Sequence, residues 1–290
     1  MPIQWYPGHM AKAKREFQEK LKLVDVVLEL VDARIPQSSR NPDLDSIIGD
    51  KPRVVILMKA DLADPAQTEK WAAYFESQGV PTVSIDAQEG RDVQKVQQAA
   101  KKALTEQMKK RAEKGMKPRA IRAVIVGIPN VGKSTLINRM ARKKVAQTGN
   151  KPGVTKAQQW IKYGKELELL DTPGILWPKF EDQEVGKCLA LTGAIRDRLL
   201  YMDDIALYGM ELLRKYYPGA LAKRYRLDES EEELELPELL MRISEKRGFR
   251  DDYDRAAEML VFELRRGQLG RVTLDRIEDV EEADDYDTTQ

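Results

Sequence analysis

Compact apolar runs alternate along most of the chain with stretches in which apolar positions recur every three or four residues. VDVVLELVDA (24–33) and RVVILM (53–58) are dense in β-branched and apolar residues, as strands buried on both faces of a parallel sheet are. PTVSIDA (81–87) is a third run of this kind. DPAQTEKWAAYFESQG (64–79) and RDVQKVQQAAKKALTEQMKKRAEKG (91–115) have helical spacing instead and close on glycine. AIRAVIVG (120–127) then predicts a strand, KSTLINRMARKK (133–144) a helix, and AQQWIKY (157–163) and ELELLD (166–171) two further strands. This alternation predicts an α/β fold with a doubly wound sheet. From Glu181 onward the pattern changes. Residues 184–195, 204–217, 236–248 and 253–267 read as amphipathic helices with no strand between them. A boundary near that point divides the chain into residues 1–180 and an all-α part, 181–290, whose end beyond about Ile277 has the acidic composition of a disordered tail.

Composition narrows the class. With 290 residues, 42% hydrophobic and 33% charged, the chain can bury a sizeable core. No apolar run reaches the ~20 residues of a membrane span, and the opening MPIQWYPGHM lacks the order of a signal peptide, so a cytoplasmic protein without membrane contact is expected. Cys188 is the single cysteine and reads as an ordinary thiol. The net charge of +1 hides basic clusters at 12–15, 109–122 and 142–144 and acidic ones at 228–235 and 277–287. Each basic cluster can be a solvated face or part of a polyanion-binding surface.

GIPNVGKS (127–134) fits G-x-x-x-x-G-K-[ST] between a strand and a helix. In that context Asn130, Val131, Gly132, Lys133, Ser134 and Thr135 form a loop whose N–H groups and lysine surround phosphates, and the hydroxyl of Ser134 can ligate Mg²⁺. DTPG (171–174) ends a later strand, where Asp171 would hold Mg²⁺ through a water and the N–H of Gly174 would meet a terminal phosphate. Thr155, in the polar loop between the two motifs, is the candidate that closes over Mg²⁺.

A phosphate loop alone does not select a base. MKAD (58–61) ends the second strand: Asp61 can accept from the ring N–H and amine of guanine, the Lys59 stem can lie along the base, and Met58 stands just before them. SIDA (84–87) ends the next strand, so Ser84, Asp86 and Ala87 would offer a backbone N–H to the guanine carbonyl.

The order MKAD, SIDA, GIPNVGKS, a loop with Thr155, then DTPG resembles that of circularly permuted GTPases. WYPGHM (5–10) and GILWPKF (174–180) resemble the ribosome-biogenesis GTPase A (RbgA/YlqF) type, and the likeness covers nearly the whole chain. It implies binding of GTP and GDP with Mg²⁺, and GTP hydrolysis coupled to late maturation of the large (50S) ribosomal subunit. It also implies contacts with ribosomal RNA and ribosomal proteins, in which the Trp5–Tyr6 pair could stack on bases, by a chain expected to be monomeric. Residues 1–180 then become the permuted GTPase domain with an N-terminal extension, and 181–290 a helical RNA- or ribosome-binding domain with an acidic tail. The resemblance further implies that Asn130 ligates K⁺ beside the phosphates, against the plainer reading of an asparagine that suits the turn. Met58 stands where the family has asparagine, which removes an amide from the base pocket.

Many GTPases place a glutamine after the glycine of the second switch to orient the attacking water. Here Ile175 follows Gly174, and His9, the only histidine, is the catalytic candidate. A terminal histidine that contacts RNA, or nothing, is the alternative. Two rival functions stay open: a P-loop phosphotransferase, and a GTP-binding scaffold with negligible hydrolysis.

Overall fold

A computed structural model describes residues 15, 17–86, 92–141, 160–170 and 182–280. Its centre is a six-stranded sheet built from β1 (Val26–Asp32), β2 (Arg53–Met58), β3 (Thr82–Ile85), β4 (Ile121–Gly127), β5 (Trp160–Tyr163) and β6 (Leu167–Leu170), in the order β3-β2-β1-β4-β6-β5. All neighbours are parallel except β5 and β6, which pair as an antiparallel ladder. Every residue of β1 is buried, as a continuous apolar run in a central strand requires. Its two charges are paired: Glu29 with Arg40 and Arg53, and Asp32 with Arg34 and Lys59.

α1 (Asp43–Ile48), α2 (Pro65–Ser77), α3 (Val93–Ala103), α4 (Thr105–Glu113) and α5 (Lys133–Ala141) accompany the sheet. Asp64 caps α2 by accepting from the N–H groups of Ala66 and Gln67. The long helix expected over 91–115 is broken at Leu104, whose side chain is buried, and the Thr105 hydroxyl donates back to the carbonyls of Lys101 and Lys102. α3 packs on the sheet, whereas α4 buries none of its residues.

α6 (Gln183–Leu191), α7 (Met202–Tyr216), α8 (Ala220–Tyr225), α9 (Glu229–Glu232), α10 (Leu236–Lys246) and α11 (Tyr253–Arg265) follow, with no strand among the described residues beyond β6. One hydrophobic cluster runs without a break from the sheet into these helices, joining Leu30, Ile56 and Ile125 to Leu191, Leu213 and Leu264. Beyond α11 the chain returns to the sheet, and Ile277 packs beside Trp71 and Phe75. The described residues include 277–280, and Ile277 is buried, so the first turn of the expected tail has an apolar site to fill. No helix of the described residues is long and apolar enough to cross a membrane.

The parallel strands bring Asp32, Met58, Ile85 and Gly127 to one edge of the sheet. Strand order reverses between β1 and β4, and open α/β sheets bind ligands in the crevice at such a reversal.

Candidate nucleotide-binding site

The loop after β4 is shaped for close approach. Asn130 (φ 60°) and Gly132 (φ 109°) both adopt positive φ, and Val131 anchors the turn in the core. A Cβ on Gly132 would lie 2.9 Å from Met58 Cε, the movable end of a flexible side chain, so it is the positive φ that calls for glycine. α5 begins at Lys133, and half-buried Ser134 and Thr135 occupy its first turn, where the backbone N–H groups and the helix dipole favour an anion.

A cavity of about 580 Å³ opens over this loop and runs to the ends of β2 and β3. Asn130, Gly132 and Thr135 line it together with Met58, Lys59, Asp61 and Asp86, so the two motifs separated in sequence share one wall. Burial and the nearby Asp86 raise the pKa of Asp61 above the usual carboxylate value. Ser84 lies half-buried in β3. Lys59 has φ 58°, and its ammonium donates to Asp32 Oδ2 at 2.9 Å, which leaves its alkyl stem on the cavity wall. Met58 is 1% exposed and its methyl lies against Gly132, an apolar brace between the loop after β2 and the loop after β4. His9, Ala87, Thr155, Asp171 and Gly174 lie outside the described residues, as do Trp5 and Tyr6.

Several lining residues come from parts of the chain that carry no motif. Arg34 is fully buried and grips Asp32 through Nε (2.9 Å) and Nη2 (2.7 Å). Thr192 and Gly193 reach the cavity from the end of α6, and the Asn130 amide donates to the carbonyl of Gly193 at 2.8 Å. Gly193 has φ 81°, and Arg265 seals the turn by donating to the carbonyls of Ala190 (2.8 Å) and Leu191 (3.1 Å) and pairing with Asp197 (2.7 Å). The sequence does hold two signals for these residues. Asp32 is a charge inside an apolar strand, which demands a partner, and TGAIRDR places a glycine and paired opposite charges just after a helix.

The basic cluster at 109–122 is only partly available to a partner. Arg111 and Arg119 converge on Asp25, and Arg122 pairs with Glu168 and lies 5.1 Å from the Trp160 ring centre. Lys109, Lys110, Lys114 and Lys117 are exposed. Cys188 is buried beside the Tyr208 hydroxyl, and burial pushes its thiol pKa up, as befits an unreactive thiol.

Residues 122–236 match the family model described as 50S ribosome-binding GTPase. The chain is 53% identical to the ribosome biogenesis GTPase A of Bacillus cereus over 98% of this chain and 100% of that protein. It is 55% identical to that of Priestia megaterium over 95% of this chain and 97% of that protein. A crystal structure of GNP-bound YlqF from Thermotoga maritima superposes with a TM-score of 0.66 at 27% identity, covering 91% of this chain and 98% of that one.

Proposed function

The chain belongs to the ribosome biogenesis GTPase A family, and from this we propose that it uses GTP hydrolysis to time a late step in assembly of the large (50S) ribosomal subunit, contacting ribosomal RNA and ribosomal proteins of the precursor. It is a P-loop GTPase with permuted motif order. The observation that carries the reading is the single cavity walled by the GIPNVGKS loop at one end and Asp61 at the other.

The residues suit a guanine nucleotide with Mg²⁺. The N–H groups at the start of α5 and Lys133 would hold the phosphates, and Asp61 would accept from the ring N–H and amine of guanine. We assign Mg²⁺ to Ser134 and Thr155, with Asp171 acting through water. The bound ion would neutralise charge on the terminal phosphates. For K⁺ we assign the side-chain oxygen of Asn130. Its amide N–H₂ is engaged by Gly193, which orients the side chain and leaves that oxygen as an acceptor. His9 is assigned to orient the water, since Ile175 has no polar atom for the task. Exposed Lys109 and Lys110 on α4 favour a polyanionic partner, because a helix with no buried residue gains little from packing on its own protein.

The test compares GTP with ATP binding and then measures phosphate release with and without large subunits. GTP selectivity with subunit-stimulated release supports the proposal. ATP preference favours a phosphotransferase, and GTP binding without stimulated release favours a scaffold. His9→Ala should keep GTP affinity and slow stimulated release on the order of 10²-fold. Normal stimulated turnover in that variant would remove His9 from the mechanism.

A further inference from the structure

The loop that follows β2 is short of supports of its own. Lys59 sits at φ 58°, a conformation that costs a non-glycine residue energy and persists only where the surroundings enforce it. Within the loop, the N–H of Leu62 donates to the carbonyl of Lys59 at 2.9 Å, and that of Ala60 reaches the carbonyl of Ile85 only at 3.4 Å. Three of the loop carbonyls are met from the far end of the chain. The Arg271 guanidinium donates to Ala60 O (2.7 Å) and Ala63 O (2.8 Å), and the N–H of Val272 donates to Leu62 O (3.1 Å).

The segment that supplies these bonds is itself fastened. Leu274 N–H donates to Arg34 O at 2.7 Å, and the Thr273 hydroxyl donates to Ala33 O at 3.2 Å. The Asp275 carboxylate accepts from both the N–H and the hydroxyl of Ser38, at 2.7 and 2.8 Å. A strap from Arg271 to Asp275 therefore crosses the ends of β1 and β2 and ties the Lys59–Asp61 turn to the C-terminal helices. The positive charge of Arg271 also acts on Asp61.

We infer that this strap fixes the base-reading loop, and that Arg271 is a positioning residue for guanine recognition although it need not touch the nucleotide. The inference rests on the reading of Asp61 as the acceptor for the guanine amine. Exposure of Arg271 makes it separable from folding, since an exposed side chain can be shortened without opening the core.

The experiment uses the full chain and competition of GDP and inosine diphosphate against a fluorescent GDP. Inosine lacks the exocyclic amine, so the GDP-to-IDP affinity ratio reports how well Asp61 is placed. A hydrogen bond to a charged acceptor corresponds to a ratio on the order of 10–100. Arg271→Ala should lower that ratio about threefold or more by weakening GDP, which offers Asp61 two donors, more than IDP, which offers it only the ring N–H, and should raise KM for GTP with kcat retained. Arg271→Lys, which can still reach one of the two carbonyls, should restore part of the ratio. A ratio in Arg271→Ala within about twofold of the parent, measured where Asp61→Ala collapses it, overturns the role of the strap alone. If Asp61→Ala also leaves the ratio intact, the base assignment is wrong and the inference falls with it.

Discussion

Replacing Arg34 by methionine isolates the charge cluster at the end of β1. Asp32 is 1% exposed and accepts from Arg34 Nε at 2.9 Å, Arg34 Nη2 at 2.7 Å and Lys59 Nζ at 2.9 Å. Burial by itself would raise its carboxyl pKa, but Arg34 and Lys59 overcome that effect and hold it well below the usual carboxylate range. Methionine keeps much of the apolar stem and leaves Asp32 with one cation. Removing one partner of a buried pair costs about 3–5 kcal/mol, and the surviving Lys59 places this case near ~3 kcal/mol. The bonds from Arg34 to Arg265 O (3.3 Å) and Thr192 O (3.4 Å) are long and add little. For a chain of this size the loss corresponds to a fall in Tm of about 5–10 °C, measured by thermal unfolding without nucleotide. Arg34→Lys should not rescue it, because an ammonium cannot reproduce the forked geometry. Adding Asp32→Asn to Arg34→Met should recover part of the loss, since it removes the buried charge left short of a partner, while Lys59 loses its carboxylate but keeps some access to water. A single variant that loses less than ~1 kcal/mol, or a double variant no more stable than the single, would refute the assignment of a coupled buried pair.

Asp61→Asn should shift nucleotide preference from guanine toward xanthine, and unchanged GTP selectivity in a competition assay would sink the role given to Asp61. Hydrolysis should run faster in K⁺ than in Na⁺ at equal ionic strength; equal rates would leave Asn130 as a residue of the turn that binds the Gly193 carbonyl and no cation. Met58→Asn should cost about 1–3 kcal/mol of stability in denaturant unfolding, because it places an amide in an apolar site against Gly132, and a stabilised variant would show that the brace is dispensable. The depressed pKa of Asp32 means that its contribution to stability is fully present above the unfolded value of ~3.9 and is lost as pH falls toward the lower folded value. Asp32→Asn should therefore flatten the acid limb of the stability profile, and an unchanged limb would contradict the shift.

The legibility of the fold followed the range of the interactions that specify it. β1, β2 and β4 were readable because a fully buried parallel strand must be an apolar run whatever lies beside it. The break at Leu104 was not, because the helical spacing of 91–115 is continuous and only the inward pull on Leu104 reveals two helices. GIPNVGKS and MKAD stand out as motifs because the groups proposed to hold phosphate and base fall within a few residues of one another. Gly193, Arg265 and Arg271 act through backbone carbonyls far away in sequence, and a carbonyl carries no residue-specific mark. In the basic run at 109–122, three arginines face Asp25 and Glu168, pairings that composition cannot show because both carboxylates lie far away in sequence.

Permutation places the loop proposed to read the base early in the chain, so no adjacent segment joins it directly to the helices that follow the sheet. The structure supplies non-covalent links at both ends of the cavity. The strap grips the base loop through Arg271, and the turn at Gly193, held by Arg265, meets Asn130 of the phosphate loop. A ligand shifts a conformational equilibrium only through interactions that differ between the two states. GTP and GDP present the same base, so the strap can scale the affinity for both but cannot tell them apart. A difference between the two nucleotides must enter at the phosphate end. The contact from Asn130 to Gly193 is a direct hydrogen bond from the phosphate loop to the turn that follows α6, and it stands where such a difference would arise.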